Sequence, residues 1–134
     1  MLKRAPSFVA PPDDKVLRRR YDILAMEDMF LDFAGRKRLG DSVHEQLASL
    51  RPGDLLVAVP KGDYIELHTE KGITVAQLSQ TALKTWRGRL DCIERIKILA
   101  MVQRRAEDSG EEFRTRCQCE QWEVPVAEIE YLER

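Results

Sequence analysis

The chain has 134 residues, 34% of them charged and 43% hydrophobic, with a formal net charge of −1. That length suits one domain with its own core, and the apolar content is too high for intrinsic disorder. The balanced charge excludes a global field that would draw the whole molecule onto nucleic acid or an acidic membrane, so any nucleic-acid surface must be a local patch.

The first twelve residues hold Pro6, Pro11 and Pro12 without a sustained period and read as a flexible leader. Residues 13–134 read as a single α+β domain, helical over 13–50 and β-rich over 51–134. Asp13 or Asp14 supplies an N-cap. Leu17, Tyr21, Leu24 and Leu31, with Ile23, Met26, Phe30 and Phe33 beside them, recur every three to four residues. That spacing predicts a long N-terminal helix over Lys15 to Ala34, ended by Gly35, whose wide apolar face ordinary core burial explains first and docking onto another domain or a second copy, as in a homodimer, second. Val43, Leu47 and Leu50 predict a short helix over Ser42 to Leu50, closed by Pro52 and Gly53.

After Gly53 the period falls to two. Leu55 to Val59, Tyr64 to His68 and Ile73 to Leu78 are rich in β-branched and aromatic residues, and turns at Pro60-Lys61-Gly62 and Glu70-Lys71-Gly72 separate them, which predicts a meander. Ser79 caps a helix reaching about Leu90, with Ala82, Leu83, Trp86 and Leu90 on one face. Ile93 to Arg104 reads as a buried strand. Phe113 to Cys119 and Trp122 to Val126 alternate like its hairpin partner, across a polar loop at Ala106 to Gly110. At Pro125 the alternation changes parity, as at a bulge or a strand crossing between sheets. The expected architecture is α+β: a small antiparallel, strongly curved sheet or partial barrel packed by one helix, with the long N-terminal helix across it.

Chemistry is sparse. No phosphate-binding glycine loop occurs, and neither His44 nor His68 lies in a hydrolase or metalloprotease motif. Asp41, Ser42 and His44 cluster at a helix start, where Asp and Ser serve as caps. Cys117-x-Cys119, with Cys92 elsewhere, lacks the knuckle spacing of structural zinc. These residues predict no catalytic site, no metal and no cofactor. The odd cysteine count, the lack of a signal-like apolar stretch in Met1 to Ala10, and the absence of any run near ~18 apolar residues predict a soluble, cytoplasmic chain with reduced thiols and no membrane partner.

The basic residues say more. Lys84, Arg87 and Arg89 surround Trp86, and Arg104, Arg105, Arg114 and Arg116 flank one loop. Such clusters neutralise phosphates, and an aromatic among them can stack on bases. These eight residues are the candidate nucleic-acid contacts. The bland alternative is that Glu107, Asp108, Glu111 and Glu112 simply pair with the loop arginines.

The runs LRPGD (Leu50 to Asp54), KGITVAQLS (Lys71 to Ser79), LAMVQRRAEDS (Leu99 to Ser109) and CEQWEVP (Cys119 to Pro125) resemble the tail segment at the C-terminal end of some large bacterial RecQ-family ATP-dependent DNA helicases. The likeness spans about Leu50 to Tyr131. The LRPGD run, a hairpin and VAQLS are also loosely similar to a HIRAN domain, a β-module that grips DNA ends. The resemblance implies an accessory module of DNA repair or recombination, without ATPase or helicase activity of its own. Its expected partners are single-stranded or forked DNA and a helicase motor domain. The competing expectation is a protein-interaction or dimerisation module that uses the N-terminal helix.

Overall fold

The computed structural model describes residues 17–133. The expected leader and the caps at Asp13 or Asp14 lie outside them. Six strands form one sheet: β1 (Arg18–Leu24), β2 (Leu55–Lys61), β3 (Tyr64–His68), β4 (Thr74–Gln77), β5 (Ile93–Arg105) and β6 (Gln121–Glu133), in the order β1-β6-β5-β2-β3-β4. Every neighbouring pair is antiparallel. Three short helices accompany them: α1 (Ser42–Ser49), α2 (Gln80–Trp86) and α3 (Glu111–Arg114).

The α+β class stands, but the expected long N-terminal helix is absent. Arg18–Leu24 is a strand paired to β6, and short 3-10 turns at Met26–Asp28 and Ala34–Arg36 follow it. Pairing explains why. Tyr21 and Ile23 suit a strand, and β6 sets Glu130 and Glu133 within reach of Arg19 and Arg20, which bond to them. Successive 3-10 turns bury a side chain about every third residue, and over a short window that period imitates an amphipathic helix.

The sheet is also neither closed nor strongly curled, so the strongly curved sheet or partial barrel is corrected to an open one. It is packed by more than the single helix expected. α1 lies against β6 and β4, whereas α2 packs on the turn at Met26–Asp28. The outer edge of β4 is partly covered by the chain after β1: Phe30 N–H donates to Gln77 O at 2.8 Å, and Met29 bridges Leu78.

Local chemistry accounts for the remaining elements. Asp41 caps α1 by accepting from Val43 N at 2.9 Å, and Ser79 caps α2 through Ala82 N at 3.3 Å. Between β2 and β3 only Gly62 and Asp63 remain, and Gly62 takes φ 58°, the positive value that a tight hairpin turn requires.

The second half of the expected hairpin differs. Phe113 to Cys119 is not a strand; Glu111 and Glu112 open α3 and Arg114 closes it, the charge order a helix dipole favours. The strand begins only at Gln121 and runs unbroken through Pro125. Proline is tolerated there because pairing with β1 stops at Ala127, which leaves Pro125 only β5 as a neighbour. The parity change is real: Trp122 and Val124 are buried in the first half of β6, and Ala127, Ile129 and Tyr131 in the second. Successive residues of a strand face opposite ways, so β6 buries one face and then the other. The register of β5 against β6 is irregular at two places, between Ile93 and Arg95 and between Ile98 and Ala100, and the second, where Leu99 is left over, is the one beside Pro125.

Candidate nucleic-acid interface

The eight basic and aromatic residues singled out from sequence fall into two groups at opposite ends of the β5–β6 hairpin. Trp86 and Arg89 pack on Tyr131, near the end of β6. Arg105 pairs in register with Gln121, at its beginning. The ten residue steps from Gln121 to Tyr131 correspond to roughly 30 Å at the usual strand rise.

The group around α2 is a closed structure. Trp86 is 3% exposed, and its ring meets Tyr131 edge to face with centroids 5.0 Å apart. The Arg89 guanidinium lies 4.5 Å from the Trp86 ring centre and 4.8 Å from that of Tyr131. Buried in this way, Trp86 offers no face to a base. Lys84 and Arg87 are exposed beside it.

The other group is partly neutralised. Arg104 Nε lies 3.4 Å from Asp32 Oδ1, which also accepts from Ser109 Oγ at 2.8 Å, and Arg104 Nη2 donates to Asp108 O at 3.3 Å. Asp32 and Ser109 are buried, so this arginine ties the end of β5 to the loop after β1. Arg105 pairs with Glu107 at 3.9 Å. The pairing anticipated for the loop acids therefore holds for Arg105. Arg114 and Arg116 have no carboxylate partner among the described residues. Arg116 stacks over Phe113.

The fold adds three cations that sequence reasoning passed over: Arg36, Lys37 and Arg38. The loop after α3, which carries Arg116, returns to this segment, while Arg114 at the end of α3 donates to Glu107 O at 3.5 Å. Cys117 N–H donates to Arg114 O at 3.2 Å, and Gln118 N–H to Gly35 O at 2.7 Å. Arg116 is two residues from Gln118, within about 8 Å at Cα. Arg36, Lys37, Arg38, Gly40, Asp41 and Gln118 line a broad depression of about 590 Å³. The one acid there, Asp41, is engaged in capping α1.

One of these arginines is unusual. Arg36 Nε is buried without any hydrogen-bond partner, and its guanidinium stands 5.0 Å over the Phe30 ring. Lys37 Nζ stands 5.3 Å over Phe33. Aromatic faces hold both cations without neutralising them. None of these five cations, Arg36, Lys37, Arg38, Arg114 and Arg116, has an ion pair to any described residue. The signal was legible as three consecutive basic residues after Gly35, but the helix read over Lys15 to Ala34 gave that glycine the sole role of a terminator.

Two constellations resemble catalytic sites, and geometry disqualifies both. Cys119 Sγ is 3.8 Å from His44 Nε2, yet that nitrogen also lies 2.8 Å from Lys37 O, which can only accept. Nε2 therefore carries the proton and cannot take one from the thiol. Burial pushes the Cys119 thiol up, Cys117 adds to the rise and the Gln121 backbone opposes it, so the thiolate is disfavoured. In the second, Glu66 Oε1 and Thr74 Oγ1 approach the same His68 nitrogen, at 2.9 and 3.0 Å. A relay needs the carboxylate on one ring nitrogen and the hydroxyl on the other.

Among the described residues no group of three or more His, Cys, Asp or Glu is placed to hold a metal ion, and no helix is long and apolar enough to cross a membrane. Comparison with family models, curated proteins and solved structures finds no match for this chain.

Proposed function

We propose that this chain is a non-catalytic accessory domain that holds the sugar-phosphate backbone of DNA, single-stranded or forked, on the face formed by Arg36, Lys37, Arg38, Arg114 and Arg116. The observation that carries the reading is the depression lined by Arg36, Lys37 and Arg38, whose one acid, Asp41, is engaged in capping α1. Unpaired cations lining one depression are what a run of phosphate oxygens neutralises. The resemblance to the RecQ-helicase tail supports a setting in repair or recombination beside a motor domain.

This reading revises the contact set. Arg114 and Arg116 stay, Arg36 to Arg38 join them, and Arg104 with Arg105 become structural clips at the border. In this reading Lys84, Trp86, Arg87 and Arg89, at the other end of the hairpin, are not part of the face. Fluorescence anisotropy with a labelled single strand and a labelled fork tests the assignment. Replacing Arg38, Arg114 and Arg116 together by Ala should weaken binding at least tenfold on every sequence tried, because phosphate contacts carry no base information. Unaltered affinity in that variant, or no binding by the wild-type chain, overturns the proposal.

A further inference from the structure

The two edges of the sheet are treated differently. β4 is partly covered by Met29 and Phe30, whereas the outer side of β1 meets no strand among the described residues. Ile23 N–H donates to Asp22 Oδ1 at 2.8 Å, so it points away from β6, and by alternation the backbone groups of Tyr21 and Arg19 point outward too. Tyr21 is 57% exposed and Ile23 46%, and they share one face of the strand. An apolar strand face beside an open row of backbone donors and acceptors is a template for another strand.

The sequence of β1 selects its occupant. The geometry points to a second copy of this chain, paired antiparallel, β1 to β1, about a twofold axis at Tyr21. In that register Tyr21 faces Tyr21 of the second copy, Arg19 faces Ile23, and Arg20 faces Asp22, so two opposite-charge pairs flank a central aromatic pair. Shifting the axis by one residue sets Arg20 against Arg20 or Asp22 against Asp22, which like-charge repulsion disfavours. Outward-pointing odd residues meet odd residues, as an antiparallel ladder requires. Arg20 uses Nε for Glu133 at 2.9 Å and keeps its remaining nitrogens for the Asp22 across the axis. Asp22 must release Ile23 N–H to reach Arg20, and the freed N–H then joins the new ladder. The pairing unites two sheets into one continuous twelve-stranded sheet, twice the six strands of one copy.

Sedimentation velocity of the full chain over a concentration series tests this, with circular dichroism to verify that each variant is folded. A reversible dimer is expected. Asp22→Arg should raise its dissociation constant by about tenfold, since it sets like charges opposite at both symmetric positions. The double variant Arg20→Asp, Asp22→Arg should recover most of that loss. Tyr21→Cys should cross-link to itself under mild oxidation, and Arg19→Cys, which faces Ile23, should not. A wild-type chain that stays monomeric up to its solubility limit overturns the inference, and so does a dimer indifferent to these variants. None of the substitutions touches the basic face, so the outcome is independent of DNA binding.

Discussion

Gly35 and Trp122 meet at the junction between the core and the basic face, and the sharpest mutational consequence lies there. A methyl group on Gly35 would sit 2.6 Å from Cζ2 and Cη2 of Trp122 and 2.7 Å from Cε2. That is about 1 Å inside ordinary carbon contact. The indole cannot simply move aside: Trp122 is buried, and its Nε1–H donates to Leu31 O at 2.8 Å. Overpacking costs about 1–3 kcal/mol, and losing the indole hydrogen bond about 1 kcal/mol more. For Gly35→Ala we therefore expect a loss of about 2–4 kcal/mol and a melting temperature lower by about 10 °C. Urea unfolding followed by tryptophan fluorescence reads this directly. In a Trp122→Phe background, whose smaller ring lacks the clashing benzo edge, the same substitution should cost less than about 1 kcal/mol, which a double-mutant cycle reports as coupling. Gly35 O also accepts Gln118 N–H, so the displaced loop should separate Arg36–Arg38 from Arg116 and weaken DNA binding as well. An unchanged unfolding midpoint, or the full cost persisting beside phenylalanine, would refute the packing described.

Other consequences are as definite. Asp32→Ala strips the acceptor from both Ser109 and Arg104 and should destabilise the fold by about 2 kcal/mol in the same urea assay. Native-state alkylation should modify half-buried Cys92 well before buried Cys119, whose thiol burial holds protonated, and denaturant should erase the difference. The raised Cys119 value means that the folded state retains its proton longer than the unfolded chain. Its contribution to stability is thus complete below the unfolded thiol range and declines as pH rises through it. Lys84→Ala with Arg87→Ala should leave DNA affinity within about twofold, because both lie at the far end of the hairpin.

Where a segment's structure follows from its own residues, the sequence was a sound guide. The caps Asp41 and Ser79, the Gly62 turn, the three meander strands and the long β5 were legible from local chemistry, although β5 buries only Ile96 and Ile98 and is not the fully buried strand expected. The parity change at Pro125 was legible too, although its partner bulge at Leu99 was not. The N-terminal segment misled because its three-to-four-residue spacing fits stacked 3-10 turns as well as a helix; its first part is a strand through pairing with β6, more than 100 positions away. Phe113 to Cys119 misled similarly, as its alternation yielded to the helix-favouring charges around α3. Two of the five cations of the site, Arg114 and Arg116, were visible as exposed cations. Arg36 to Arg38 became part of it only through the Gln118–Gly35 hydrogen bond, a long-range contact that no local pattern encodes.

The salt dependence of DNA binding is the most direct measurement of whether this face holds phosphates. With a labelled single strand, log affinity against log salt concentration should fall with a slope of about −3.5, the value for five neutralised phosphates at about 0.7 each. Removing Arg38 and Arg116 should flatten the slope by about 1.4, whereas removing Lys84 and Arg87 should leave it unchanged. A slope near zero, or one that responds to Lys84 and Arg87 and ignores Arg38 and Arg116, would contradict the assignment.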